Sequence, residues 1–376
     1  MKLAVTLLVF CVAALLALGV TTLYSSTMGQ PGAHYLRMQL MWCALGVAMC
    51  LTAAVLDYRL LKKIALPLLI VSVLLLALVL VPHIGLKIKG ARRWLGEGPF
   101  RFQASELAKL ALIIALAWYG EQFQRQMRFW KRGILIPGSV VALVLGLIFV
   151  EPDRGTTILL ASVAGVMLLI GGVRWLFIAP PVLAAVACFG FSLLHDDMRR
   201  KRIFGWLYLD EHKDGVGYQA YQAMIALGAG GWTGLGLGNG RQKLGFVPEN
   251  HTDFILSIIG EELGLVATLL VIIAFVTIVL CGIFIARNSR DSFGLLLGSG
   301  ISFLVGLQAF INIGVVTSAL PNKGLPLPFV SYGGSNLLIM LTCVGLLLSI
   351  ARQTRAAEAM SVLEGAGSEI PAPQPS

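Results

Sequence analysis

The feature that most limits this chain is a series of apolar runs, most of them uncharged and near the length of a membrane-crossing helix. They fall near residues 3–24, 38–56, 64–82, 105–120, 133–149, 155–172, 175–194, 256–285, 293–316 and 336–351. A span needs roughly 20 apolar residues. Lipid offers the backbone no hydrogen-bond partners, so such runs must become helices. The fourth to sixth runs are short, and the fourth opens on polar residues. Only 13% of the chain is charged and 57% is hydrophobic, against about 25% charged in an average soluble domain. The expected fold class is therefore all-α and polytopic, with about ten transmembrane helices and a large outer loop between helices 7 and 8.

The N-terminal stretch MKLAVTLLVFCVAALLALGVTTLY starts like a signal peptide at Lys2 but is long enough to span. It reads as an uncleaved first helix. Basic residues in short loops set orientation. With the N-terminus cytoplasmic, Arg59, Lys62 and Lys63, the 125–132 cluster, Arg174, Arg287 and Arg290 all fall inside. An even helix count returns the C-terminus to the cytoplasm as well. Residues 1–352 then form one transmembrane domain, and 353–376, ending in GAGSEIPAPQPS, a disordered tail. The six cysteines lie in apolar runs without CxxC spacing and read as small buried hydrophobes. The outer loops are also basic, notably KIKGARRW at 87–94. A headgroup-facing loop and an anion-binding surface both fit that charge.

Five stretches carry polar groups where lipid would forbid them. VPENHTDFILSIIGEELG, 247–264, holds Glu249, Asp253, Glu261 and Glu262. At 100° per residue Asp253, Ser257, Gly260, Glu261, Gly264 and Thr268 share one helical face, and Glu262 points away. Thr252 or Asp253 capping the helix is the competing reading. LPNKGLPLPFVSYGGSN, 320–336, contains Pro321, Pro326 and Pro328, so its backbone is irregular at membrane level and lines a cavity or is buried. Ser331, Gly333, Gly334 and Ser335 at the next helix start form either a tight turn or a cradle for an anion. FQASELAKL, 102–110, places Glu106 and Lys109 at i,i+3, fit to pair with each other or to touch substrate. EPDRGT, 151–156, puts Glu151 and Asp153 in a turn where Asp153 can cap the following helix. The glycine-dense 218–244 matches no nucleotide fingerprint, because no βαβ pattern surrounds it.

Together with GARRW at 90–94, these blocks resemble, in order, the SEDS family of bacterial cell-wall proteins, the FtsW/RodA group. The likeness spans roughly residues 5–352, and NKGLPLPF sits slightly closer to FtsW than to RodA. Ala104 and Arg154 depart from the family's usual proline and apolar residue. The resemblance implies a peptidoglycan glycosyltransferase polymerising lipid II at the outer face of the bacterial cytoplasmic membrane. It also implies a class B penicillin-binding protein as partner, alongside other division or elongation membrane proteins. No nucleic-acid partner is expected.

The family's essential aspartate maps onto Asp253, the expected general base for the acceptor hydroxyl. The leaving diphosphate needs positive charge or N–H groups. The candidates are Arg92, Arg93, Lys109 and Lys243 with the nest of Ser331, Gly333, Gly334 and Ser335. Glu106, Asp153 and Glu261 are supporting residues at the same site, and Glu249 and Glu262 are structural. No cofactor is certain. A divalent cation such as Mg or Mn would bridge the diphosphate to Asp153 or Glu261, although no ligand spacing demands one. A transporter of the lipid-linked precursor, or a scaffold for the penicillin-binding protein, would use many of the same features.

Overall fold

Each apolar run becomes a helix, and all but the last end close to where they were expected. In the structure, a computed structural model that describes residues 1–27, 33–88, 91–96, 98, 101–195, 197–248 and 251–368, the helices are α1 (Lys2–Ser26), α2 (Ala33–Val55), α3 (Leu61–Leu80), α4 (Ala104–Gln122), α5 (Ile136–Val150), α6 (Arg154–Ile170), α7 (Trp175–His195), α8 (Asp197–Leu207), α9 (Tyr218–Ala229), α10 (Ile255–Arg287), α11 (Ser292–Val316) and α12 (Gly334–Ser368). Among the described residues, seven helical segments are long and apolar enough to cross a membrane, and α6 and the first part of α7 are shorter apolar helices. α8 and α9 lie in the long segment expected as the large loop.

Chemistry explains the arrangement. α4 carries Glu106, Lys109 and Glu121, too much charge for a lipid-facing helix, and it is sheathed by α3, α5, α6, α11 and α12. Ala104, Ala108, Ala111 and Ala117 along it are fully buried, since small side chains let neighbouring helices close in. The outward faces of α1, α3, α5 and α10 instead expose large apolar residues such as Phe10, Leu74, Leu143 and Leu270, the surface that lipid covers.

One end of the bundle carries a feature the sequence reading treated only as a basic loop. β1 (Leu86–Ile88), β2 (Ala91–Leu95) and β3 (Phe102–Gln103) make an antiparallel sheet in the order β1-β2-β3. At the opposite end, the Tyr58 hydroxyl donates to Asp291, and Lys62 bridges Asp291 Oδ2 at 3.1 Å and Glu121 Oε1 at 2.7 Å. Asp291 also caps α11 through the Gly294 amide. Burial pushes the Asp291 carboxyl up, but Tyr58, Lys62 and Arg59 outweigh it and hold it below its ordinary value.

One expectation needs correcting and one boundary differs. α12 runs on to Ser368, past residue 353 where the tail was expected to begin, and RAAEAMSVLE is rich in strong helix formers. Residues 369–376 lie outside the described residues. The 253–268 face is not one helical stripe. α10 starts at Ile255, and Gly264 (φ 78°, ψ −174°) breaks it.

That break gives the glycine-dense segment a purpose. A broken helix leaves amides and carbonyls without intrahelical partners. The loop supplies them: the Leu235 and Gly236 amides donate to the Glu261 and Glu262 carbonyls, and the Leu265 and Val266 amides donate to Gly231 and Trp232. Such contact demands missing side chains. A Cβ on Gly234 would sit 2.2 Å from the Glu262 carbonyl oxygen, and one on Gly264 would sit 2.4 Å from the Gly234 nitrogen.

Candidate functional site

Asp253 lies just before α10, in a turn that is half-buried. The N-cap residue of α10 is Phe254, which makes no side-chain cap hydrogen bond, so the N-cap position expected at Thr252 or Asp253 falls further along the chain. What fixes the turn is its own backbone. The Tyr332 amide donates to the His251 carbonyl (2.9 Å), the Ser331 hydroxyl to the Thr252 carbonyl (2.6 Å), and the Asn312 amide to the Asp253 carbonyl (2.7 Å). Three successive carbonyls are thus held by α11 and the 320–336 segment. Asn312 also donates to Leu325 (2.7 Å), and the Leu327 amide donates to Ser331 Oγ (2.7 Å). The proline-broken segment and the turn are laced into one unit.

The Asp253 carboxylate rests on Gly324, where an added Cβ would stand 2.3 Å from Oδ2. Beyond Gly324 lies the start of α6: a Cβ on Gly155 would meet the Gly324 carbonyl oxygen at 3.5 Å and Leu325 Cγ at 3.2 Å. Arg154 stands close enough to Lys323 to act on its charge. Burial and the Arg154 charge together lower the Lys323 pKa. The sequence reading took Arg154 as a departure that adds an outer charge, and the structure brings it beside Lys323 as a second cation at this mouth.

Asp153 caps α6, accepting from the Thr156 amide (3.1 Å), the Thr156 hydroxyl (3.0 Å) and Gln103 Nε2 (3.2 Å). Arg93 binds the same turn, donating to the carbonyls of Glu151 (3.1 Å) and Pro152 (2.7 Å), with Asp153 Oδ2 at 3.9 Å. Adjacent strand residues face opposite ways, so Arg92 and Arg93 do not act as a pair. Arg93 meets the α6 turn, whereas Arg92 turns to a cavity beside Lys87 and Glu151.

Other candidates sit elsewhere. Lys109 is fully buried and binds Glu106 Oε2 (2.8 Å) and Gln308 Oε1 (3.0 Å). Asn336 completes Glu106 (3.0 Å), and Gln308 Nε2 reaches the Pro326 carbonyl (2.9 Å). This network ties α4, α11 and α12 to the proline segment from beneath, so its two charges position that segment. Glu261 accepts the amides of Arg241 (2.8 Å) and Gln242 (3.2 Å). Glu262 takes Lys243 Nζ (2.7 Å) and the Ser25 hydroxyl (2.8 Å), while Lys243 also binds Ser25 (3.0 Å) and the Gly238 carbonyl (2.8 Å). Lys243, Glu261 and Glu262 anchor the loop. Asp153 and Glu261, the carboxylates named for a divalent cation, already accept these protein donors. Glu249 lies outside the described residues.

The glycines before α12 also read differently in three dimensions. Gly333 and Gly334 do not adopt positive φ, and a Cβ on Gly334 would fall 2.3 Å from the Trp42 ring. That glycine lets an indole pack on the helix start. Ser331 and Ser335 are buried. The sequence reading missed Asn312, Gln308, Asn336 and Gly324. Gln308 and Asn312, lone amides four residues apart in an apolar run, carried a usable signal, since such groups mark helix contacts or a polar site.

This geometry has counterparts among known proteins. A family model for FtsW, RodA and SpoVE, described as cell cycle protein, matches residues 2–356. A probable peptidoglycan glycosyltransferase FtsW of Trichlorobacter lovleyi is 41% identical over 350 residues, covering 92% of each chain. The protein of that name in Coxiella burnetii is 37% identical over 92% of this chain and 96% of its own. Among solved structures, a chain from work on structural coordination of polymerization and crosslinking by a peptidoglycan synthase complex superposes with a TM-score of 0.79. It shows 30% identity and covers 92% of this chain and 97% of that one. Thermus thermophilus rod shape determining protein RodA gives 0.69 at 30% identity, covering 92% and 96%.

Proposed function

Because this chain belongs to the FtsW/RodA/SpoVE family of cell cycle proteins, we propose that it is a multi-pass peptidoglycan glycosyltransferase of the bacterial cytoplasmic membrane. Its substrate is lipid II, polymerised into glycan strands at the outer face during division or elongation. Its partner is a class B penicillin-binding protein, and both termini face the cytoplasm. The relatives' shared name and the peptidoglycan synthase structure support this reading.

Asp253 is the general base. The observation that carries this assignment is the clamp on its backbone: three consecutive carbonyls are held, so the carboxylate is aimed while the rest of the turn cannot drift. A base so placed takes the proton from the acceptor sugar hydroxyl as that oxygen attacks the anomeric carbon. The diphosphate leaves with the bonding electrons, and the configuration inverts. A diphosphate departs readily, so no second carboxyl is required as acid, unlike in glycoside hydrolysis. Lys323, Arg154 and Arg93, gathered where α6 starts, supply the positive field that stabilises it.

Purified protein with its penicillin-binding partner, transpeptidase inactivated, should convert labelled lipid II into long strands, and Asp253→Asn should not. Strand synthesis by the variant at the wild-type rate would remove the base assignment. Translocation of lipid II in vesicles with no polymer from either form would replace the enzyme reading with the transporter.

A further inference from the structure

Arg92, on the face of β2 away from Arg93, lines a separate cavity of about 270 Å³ with Lys87, Leu80, Val150, Glu151 and Pro152. Glu151 is fully buried there, and neither carboxyl oxygen has a hydrogen-bond partner among the described residues. A buried polar group without a partner is costly and asks for a reason. The Asp253 mechanism does not use it. The side chains of Lys87 and Arg92 form no ion pair among the described residues either.

Burial, helped by Asp153 and opposed by Arg93, pushes Glu151 up to about 8. At neutral pH its carboxyl then keeps a proton and offers an O–H. The cavity wall therefore presents two cations and one neutral donor. That is a set of donors for an oxyanion and a poor setting for a cation. The size is that of a headgroup, below the roughly 300–1,000 Å³ of sites that enclose whole small molecules. The apolar ends of α3 and α5 flank it, with Leu78, Val81, Phe149 and Val150 exposed. A ligand seated there would lay an apolar chain along those helices.

We propose that this cavity binds the phosphate ester of a membrane lipid, with Lys87 and Arg92 holding its charged oxygens and the Glu151 carboxyl donating the third hydrogen bond. A polyprenyl phosphate and a glycerophospholipid share that chemistry. The site is distinct from the Asp253 turn, and its test reads lipid binding, so its failure and failure of the polymerase reading are separate results.

The full-length protein in phosphatidylcholine nanodiscs is titrated with fluorescent phosphatidylglycerol in one arm and a long-chain polyprenyl phosphate in the other. The Lys87→Gln/Arg92→Gln double variant should lose roughly tenfold or more in affinity for at least one lipid. Loss with the polyprenyl phosphate alone assigns the site to the substrate's lipid; loss with phosphatidylglycerol alone, or with both, assigns it to membrane phospholipid or to phosphate esters in general. Unchanged binding of both lipids overturns the site. Glu151→Gln keeps an N–H donor and should bind within about threefold of wild type, whereas Glu151→Leu should bind weakly. If Glu151→Leu fails to fold, pH replaces it. Wild-type affinity should fall between about pH 7 and about pH 9 as Glu151 ionises among Asp153, Arg93, Arg92 and Lys87, and Glu151→Gln should stay level. A wild-type affinity that does not change over that range removes the carboxyl from the site.

Discussion

Gly324 has no side chain, and that is what lets the Asp253 carboxylate lie against the 320–336 segment. A methyl group there would stand 2.3 Å from Oδ2 and push the carboxylate aside. Gly324→Ala should slow glycan synthesis by about tenfold or more while leaving the unfolding temperature within a few degrees of wild type. Wild-type synthesis by Gly324→Ala would mean that the carboxylate's position is not critical. Asn312→Ala should cost about 1–3 kcal/mol in thermal unfolding, since it orphans the carbonyls of both Asp253 and Leu325. Glu151 makes the pH prediction. Its folded pKa, about 8, lies above the ordinary 4.5, so the folded state binds the extra proton between those values. Its contribution is full below about 4.5 and is lost as pH rises through about 8. Unfolding scans in detergent should show wild-type stability falling over that window more than that of Glu151→Gln. At this scale the sequence told only part of the story. Asp253 stood out as an acid before a lipid-length run, but its partners at 312, 324 and 331 come from distant elements that no spacing rule connects.

The elements were legible where length and apolarity decide them and opaque where backbone pairs with backbone. The helix ends followed from apolar length, except at the C-terminal end of α12. β1 to β3, two to five residues long, are too short for a period-two pattern to rise above a basic loop. The face drawn through Asp253, Glu261 and Thr268 assumed an unbroken helix, and Gly264 breaks it. The glycines at 231–240 matched no motif, and their use shows only where their amides and carbonyls meet that break. Ser25 and Glu262 meet across most of the chain, a pairing that only packing shows. Lys243→Ala leaves Glu262 buried beside Ser25 without its cation. It should cost about 3–5 kcal/mol in thermal unfolding and raise proteolytic cleavage between residues 230 and 245. Stability and cleavage equal to wild type would make that anchor dispensable.

As a whole, the molecule is a helical bundle whose polar groups sit at its two ends and in one buried network between them. At the hairpin end, α6, α10, α11 and the 320–336 segment converge on Asp253. At the other end, Asp291 gathers Tyr58 and Lys62. On the proposed topology, with basic short loops inside, the hairpin end faces the outside of the cell. Arg101→Cys should therefore react with a membrane-impermeant maleimide in intact cells, and Arg128→Cys should react only after lysis. The reverse labelling would turn the molecule over and move the site to the wrong side for lipid II polymerisation. The central claim is that the Asp253 carboxylate performs the chemistry. Its most direct test is the rate of strand elongation by Asp253→Asn in the purified complex, with lipid II binding measured in parallel. The expected result is a fall of about a hundredfold or more with lipid II still bound; elongation at the wild-type rate would contradict it.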